Sequence, residues 1–152
     1  RTISHVSGYR HKTSFTRILG HLLSDYLGIP AEDGDIGILP DHASLMTLVR
    51  FGELVIRSNN KEEYFAVLGG FAEVNQNKVV ILADACERID SINEKRAQEA
   101  QAKAAERISS KNESLDIERS LSSLRRADLR LKLVKKRKFR EGFKVNKSTN
   151  SS

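Results

Sequence analysis

DGDIGILPDHA, residues Asp33–Ala43, is the stretch on which the reading of this chain turns. Asp33 and Gly34 are turn formers, and glycine takes a positive φ without steric cost. Ile36 and Ile38 then fall on one face of a strand, with Gly37 and Leu39 on the other. A bare Gly37 lets another backbone or a partner approach closely. Pro40 cannot donate to a sheet ladder, so it closes the strand and sends Asp41, His42 and Ala43 into the next connection. The segment reads as turn, strand and turn, with carboxylates and one imidazole. It carries no catalytic signature.

Outward from this segment, short apolar runs recur between turn formers from Leu27 to Ala85. They are Leu27–Ile29, Ile36–Leu39, Leu45–Val49, Glu53–Arg57, Tyr64–Leu68, Phe71–Val74 and Val79–Ala83. Ser58–Glu62 and Asn75–Asn77 are polar connections, the second short enough for a hairpin. Gly69 and Gly70 mark a tight bend or bulge. Strands this short and this regularly spaced predict a β-sandwich or barrel.

At Ser91 the period changes. Ser91–Ile92–Asn93–Glu94 has the S-x-x-E form of a capping box. Ala97, Ala100, Ala104 and Ile108 then share a helical face. Ser109–Ser114 interrupts the pattern, and Asp116 and Glu118 favour a new helix start through the helix dipole. Ile117, Leu121, Leu124, Ala127, Leu131 and Val134 form the second apolar stripe. Two amphipathic helices joined by about six polar residues predict an antiparallel hairpin. The fold class is therefore α+β, an antiparallel β-sandwich over 26–88 followed by a helical hairpin over 89–138. Residues 139–152 lose periodicity and are expected to be a disordered basic tail.

Residues 1–25 are acid-poor until Asp25 and rich in Ser, Arg, His and Thr. Such a start is compatible with an organelle transit peptide; the plainer reading is a chain fragment or an expression remnant. Phe15–Leu23 offers one short strand or helical turn.

No apolar run approaches the ~20 residues of a membrane span. The single cysteine, Cys86, excludes an internal disulfide framework. The net charge of +6 divides unevenly. Residues 1–88 carry 9 Lys/Arg against 11 Asp/Glu, whereas residues 89–152 carry 17 against 9. Arg125–Arg140 alone holds nine basic residues and only Asp128 as acid. The excess belongs to one element.

DGDIGILPDHASLMT (Asp33–Thr47), AVLGGFAEV (Ala66–Val74), VVILADACE (Val79–Glu87) and RADLRLKL (Arg126–Leu133) together resemble the epsilon subunit of the F-type ATP synthase, in order and spacing over roughly Tyr26–Arg137. The resemblance implies a two-sheet β-sandwich and a helical hairpin at the foot of the rotary central stalk. It implies partners as well: the gamma subunit, the ring of c subunits, and the catalytic alpha and beta subunits through the helices, which restrain ATP hydrolysis. Its location would be peripheral, on the cytoplasmic face of a bacterial inner membrane or the equivalent organelle face. No catalytic residue, metal or required cofactor is implied, and no nucleic acid. In the family two strands precede the segment matching Tyr26–Pro30. Here Thr16–Asp25 looks too short for both, which would leave a sheet edge unpaired.

The acids Glu32, Asp33 and Asp35 have no EF-hand spacing. Read alone they are solvated loop carboxylates; the resemblance assigns them to the c-ring contact. Asp41 and His42 lack a nucleophile to complete a dyad, and the resemblance assigns them to gamma. His5, His11 and His21 show no metal-ligand spacing. Cys86 reads as a small buried side chain. Some bacterial members bind ATP as a regulatory ligand through an I/L-D-x-x-R-A motif opening the first helix. The matching residues are Ile92, Asn93, Arg96 and Ala97, with Glu87 upstream and Arg126 and Arg130 on the second helix. Asn93 replaces the motif's Asp and loses its charge. The plainer reading of these arginines is the wet face of a hairpin. For Arg125–Arg140 the readings are a solvated face, an acidic protein partner, or nucleic acid or anionic lipid. A basic β/α adaptor that binds nucleic acid through its C-terminal helix is the alternative function.

Overall fold

The computed structural model describes the backbone of residues 6–7, 16–21, 25–75, 78–110 and 114–149, and the side chains of 25–75, 78–110 and 117–142. The chain divides into two compact units, Arg1–Arg88 and Ile89–Ser152.

The first unit is all antiparallel β. Its strands are β1 (Val6–Ser7), β2 (Thr16–His21), β3 (Tyr26–Ala31), β4 (Gly34–Ile38), β5 (Leu45–Val49), β6 (Gly52–Ser58), β7 (Lys61–Val67), β8 (Gly70–Asn75), β9 (Lys78–Ala83) and β10 (Cys86–Arg88). They follow the order β1-β2-β9-β8-β5-β3-β6-β7-β10, with β4 on the other side of β3. β3 is shared between two layers. Tyr26–Gly28 pair with β6, whereas Ala31 pairs with Val49 of β5. The change of partner falls at Pro30, which has no N–H to give to either neighbour and whose carbonyl accepts from Arg50 N at 2.9 Å.

Side chains from both layers meet in a single core. Ile29 and Ile38 lie against Leu54, Val67, Val74 and Ile81, all nearly or wholly buried. Fully burying each such side chain contributes about 1.5–3 kcal/mol. The sheet therefore folds over into a sandwich, in which Ile36 and Ile38 face inward and Gly37 and Leu39 outward.

Three local expectations change. Ser58–Glu62 is a tighter hairpin than a polar loop: Ser58 pairs with Lys61, and Asn59 and Asn60 turn with φ of 51° and 61°, the left-handed pair of a type I′ turn. The group that comes close to Gly37 is neither backbone nor partner. It is the Tyr26 ring, whose Cε2 would stand 2.7 Å from a Cβ built there. Arg57 caps the same ring, its Cζ 4.7 Å from the centroid. Third, Thr16–His21, though it holds one strand and not two, pairs residue for residue with β9 from Ala83 to Lys78. That edge is covered, and β1 adds two further pairs outside it. The rest of the 1–25 expectation, with His5 and His11, lies outside the described residues.

The second unit opens with a 3-10 turn, Ile89–Ser91, followed by α1 (Glu94–Ser109) and α2 (Ser114–Thr149). The N-cap of α1 is not Ser91, which lies in the 3-10 turn. Asn93 is the cap instead, its Oδ1 accepting from Arg96 N at 3.0 Å. On α1, Ala97 and Ala104 are buried but Ala100 is exposed. Gln101 takes the place expected of Ala100, donating from Nε2 to Asp128 Oδ1 at 2.6 Å. On α2, Ala127 and Val134 are buried as expected, with Leu133 and Ser120 in addition. Leu121 stays 40% exposed. The stripe thus runs one residue off the expected line near the start of α2. The helix also continues past Lys138 to Thr149 where a disordered tail was expected. No proline interrupts this segment, and Gly142 alone costs only about 1 kcal/mol. An i,i+4 pair, Arg137–Glu141 at 3.7 Å, bridges the expected end.

Candidate docking surfaces

β4 carries a different chemistry at each end. At its start, the two-residue turn Glu32–Asp33 joins β3 to β4, with Ala31 paired to Gly34. Glu32, Asp33 and Asp35 are all exposed. Arg50, just after β5, gathers this corner. Its Nη2 meets Asp35 Oδ1 at 2.5 Å and its Nε donates to Ala31 O at 3.0 Å. Both partners of the ion pair are exposed, so it holds the turn's shape more than it stabilises the fold. Asp35 is locally neutralised, leaving Glu32 and Asp33 as the acidic tip.

At the other end, Pro40 and Asp41 form a β-turn closed by His42 N donating to Leu39 O at 3.2 Å. Asp41 sits at φ 63°, the left-handed third position of a type II turn, which Asp tolerates better than most residues. His42 Nδ1–H donates to Ala43 O at 2.7 Å, which in a neutral ring makes Nε2 the acceptor. Sequence reasoning placed these two groups without their geometry, and the structure sets them at opposite ends of one strand.

Between these ends lies a surface that sequence reasoning missed. β5 alternates so that Leu45, Thr47 and Val49 point inward and Met46 and Leu48 outward. Met46 is 69% exposed and Leu48 62%. Leu48 stands opposite Phe71 of β8, 38% exposed, and Phe71 opposite Leu82 of β9. An apolar row therefore crosses three strands on the outer face, with Glu73 as a polar neighbour between Met46 and Val80. The signal was present in the sequence. LMTLV is apolar on both strand faces, and a strand needs only one for its own core.

The residues matching the nucleotide motif lie on β10, on the start of the helical unit and on α2. Glu87 belongs to β10, paired with Ala66. In the helical unit Ile92 and Ala97 are buried, Arg96 is exposed, and the side-chain oxygen of Asn93 is occupied by the helix cap. Arg137 and Lys138 are basic residues near the start of α1, Lys138 Nζ 2.6 Å from Glu94 Oε2 and Arg137 Nη1 3.0 Å from Ile89 O. Arg126 and Arg130 lie twelve and eight residues before Lys138, ~18 and ~12 Å away along the helix axis. Arg126 Nη2 instead donates to Ser123 Oγ at 3.2 Å. Among the described residues no group of three or more His, Cys, Asp or Glu is placed to hold a metal ion. No described helix is long and apolar enough to cross a membrane.

Cys86 is half-buried at the start of β10 and packs against the sandwich core. Burial, with the neighbouring Glu87 charge as a smaller cause, pushes its thiol up to about 12. It is a packing group and an unreactive one near neutral pH.

Two family models match in succession. The β-sandwich domain of the ATP synthase delta/epsilon chain matches residues 18–89, and the long α-helix domain of the same chain matches residues 90–135. An ATP synthase epsilon chain of Desulforamulus reducens is 40% identical over 108 residues, 71% of this chain and 82% of the relative. One from Chloroflexus aggregans is 41% identical over 116 residues, 76% and 84% of the two chains. A chain of the cryo-EM structure of the Euglena gracilis mitochondrial ATP synthase, OSCP/F1/c-ring in rotational state 1, superposes with a TM-score of 0.60. It is 22% identical, covering 70% of this chain and 67% of its own, a likeness of fold. With the sandwich and helix models matched in order, and epsilon chains covered over four fifths of their length, this chain belongs to the ATP synthase delta/epsilon family of non-catalytic subunits.

Proposed function

We propose that the chain is a central-stalk subunit whose β unit docks on the gamma subunit and the c ring, and whose helices restrain ATP hydrolysis by contacting the catalytic alpha and beta subunits. The observation that carries this is the apolar row Met46, Leu48 and Phe71 on the outer face of the sandwich. Exposed apolar side chains in a contiguous row lower solubility unless a partner covers them. The Asp41–His42 turn leads directly into β5 and supplies a polar rim to that patch. The acidic tip Glu32–Asp33, at the far end of β4, suits the polar loops of the c ring. Such rim charges set register and association rate more than affinity. The chain would then lie on the membrane face that carries the catalytic subunits, cytoplasmic in a bacterium or its organelle equivalent.

Co-purification with the gamma subunit tests the docking. The native chain is expected to remain bound, and Leu48→Glu with Phe71→Glu to dissociate while keeping its β content. Retention of the double variant would sink the assignment of this face. For the brake, removing residues after about Asp90 is expected to raise ATPase activity of the reconstituted complex; unchanged activity would count against it.

A further inference from the structure

The match to the family's helix domain ends at residue 135, and α2 continues to Thr149. Residues 136–149 hold six Lys/Arg against Glu141 alone, a net of +5. Lys138 reaches Glu94, the first residue of α1. Because the helices run antiparallel, everything after Lys138 extends beyond the start of α1. Eleven residues of helix make this overhang ~16 Å long.

Its faces are not equivalent. Positions 136, 140 and 144 recur every fourth residue and line up as one ridge, all basic. Positions 139 and 143, both Phe, form the row beside it. Phe139 is 77% exposed, the most exposed of the large hydrophobic side chains among the described residues. A helix that carries cations beside an exposed aromatic has the composition of an interfacial segment.

We propose that this C-terminal extension of α2 binds an anionic lipid surface. The ridge would meet the headgroup phosphates while Phe139 enters the boundary just below them. An acidic protein segment would satisfy the cations but leave Phe139 in water. A lipid surface takes up both, and it presents many phosphates in one plane. The location proposed above brings such a surface within reach, so the biological setting rests on that reading. The binding itself does not, because it belongs to the purified chain.

Flotation of the full chain with vesicles tests it, using phosphatidylcholine alone or mixed with phosphatidylglycerol, at about 0.15 M salt, where the Debye length is about 8 Å. The chain is expected to float with the anionic vesicles only. Lys136→Glu with Arg140→Glu should weaken binding at least about 25-fold, since each cation near such a surface is worth about fivefold. Phe139→Ala should weaken it severalfold without changing the salt dependence. All three positions lie outside the helix–helix seam, so helical content by circular dichroism should be unchanged. Failure to float, or equal flotation with neutral vesicles, would overturn the proposal. So would an unaffected Phe139→Ala variant. Release from the vesicles by a short single-stranded RNA that binds more tightly than they do would transfer the site to nucleic acid.

Discussion

Arg137 Nη1 donates to the main-chain carbonyl of Ile89 at 3.0 Å and to that of Asp90 at 3.3 Å. One guanidinium thus ties the second helix to the turn that opens the helical unit, 48 residues earlier. Its Nε is buried and lacks a hydrogen bond. Glu141 Oε1 at 3.7 Å offers it charge but not hydrogen-bond geometry. With the Lys138–Glu94 pair beside it, this is where the hairpin's open end is held together.

Replacing Arg137 with Ala is expected to loosen that end at a cost of about 1–2 kcal/mol, the usual range for hydrogen bonds to a charged donor after partial exposure. Arg137→Lys, with a single ammonium in place of the fork, should lie between. Thermal unfolding of the full chain followed by far-UV circular dichroism measures both. Equal melting of all three proteins would show that the contacts contribute nothing.

Gly70 and Gly34 separate backbone strain from steric clash. Gly70 has φ +126° and a Cβ there would stand 2.1 Å from Leu82 O, whereas Gly34 has φ +133° and open space around it. Gly70→Ala should cost more than about 3 kcal/mol, strain and overpacking together, and Gly34→Ala about 1 kcal/mol from strain alone. Urea unfolding at equilibrium gives both numbers, and reversal of their order would contradict the tight β8–β9 approach.

The raised Cys86 thiol gives a pH prediction with a definite sign. Its ordinary value is 9.0 and the folded value about 12, burial being the main cause. Above pH 9 the unfolded chain releases a proton that the folded chain retains. The thiol's contribution is therefore intact below pH 9 and is lost as pH rises toward 12. Cys86→Ala should flatten this slope in urea unfolding measured between pH 8 and 10. The native thiol should also resist alkylation at pH 8 until denaturant is added.

ATP, the regulatory ligand that the resemblance implies for some family members, has a direct test. Asn93 Oδ1 is engaged as the helix cap and Arg126 Nη2 donates to Ser123 Oγ, so ATP would have to compete with both contacts. Titration calorimetry is expected to show no saturating heat at about 1 mM ATP, the concentration matching about 4 kcal/mol of binding. Saturation at micromolar ATP would mean that ATP displaces them.

Much of the fold was legible because it depends on local pattern. The alternation of Ile36, Gly37, Ile38 and Leu39, the hairpin at 75–78 and the switch to helical spacing after Ser91 each follow from one residue's immediate neighbours. The misses were places where short-range rules compete. S-x-x-E after Arg88 satisfies the capping-box rule, but Asn93 satisfies the simpler N-cap preference, and only the 3-10 turn at Ile89–Ser91 decides between them. The two-residue type I′ turn at Asn59–Asn60 was hidden because Asn fits both a loop and a tight turn.

By itself the sequence determined the class of fold, the order of its elements and the sign of charge on each. These depend on periodicity, turn chemistry and composition, which every unfolded chain already carries. Only the tertiary structure decided what the segment Asp33–Ala43 is attached to. Long-range pairing brought Arg50 to Asp35 and laid Tyr26 across Gly37. It also aligned Leu48 with Phe71 and Leu82 as one outward row. Those contacts join residues far apart in the chain, and loop closure and strand register, not local preference, select among their alternatives.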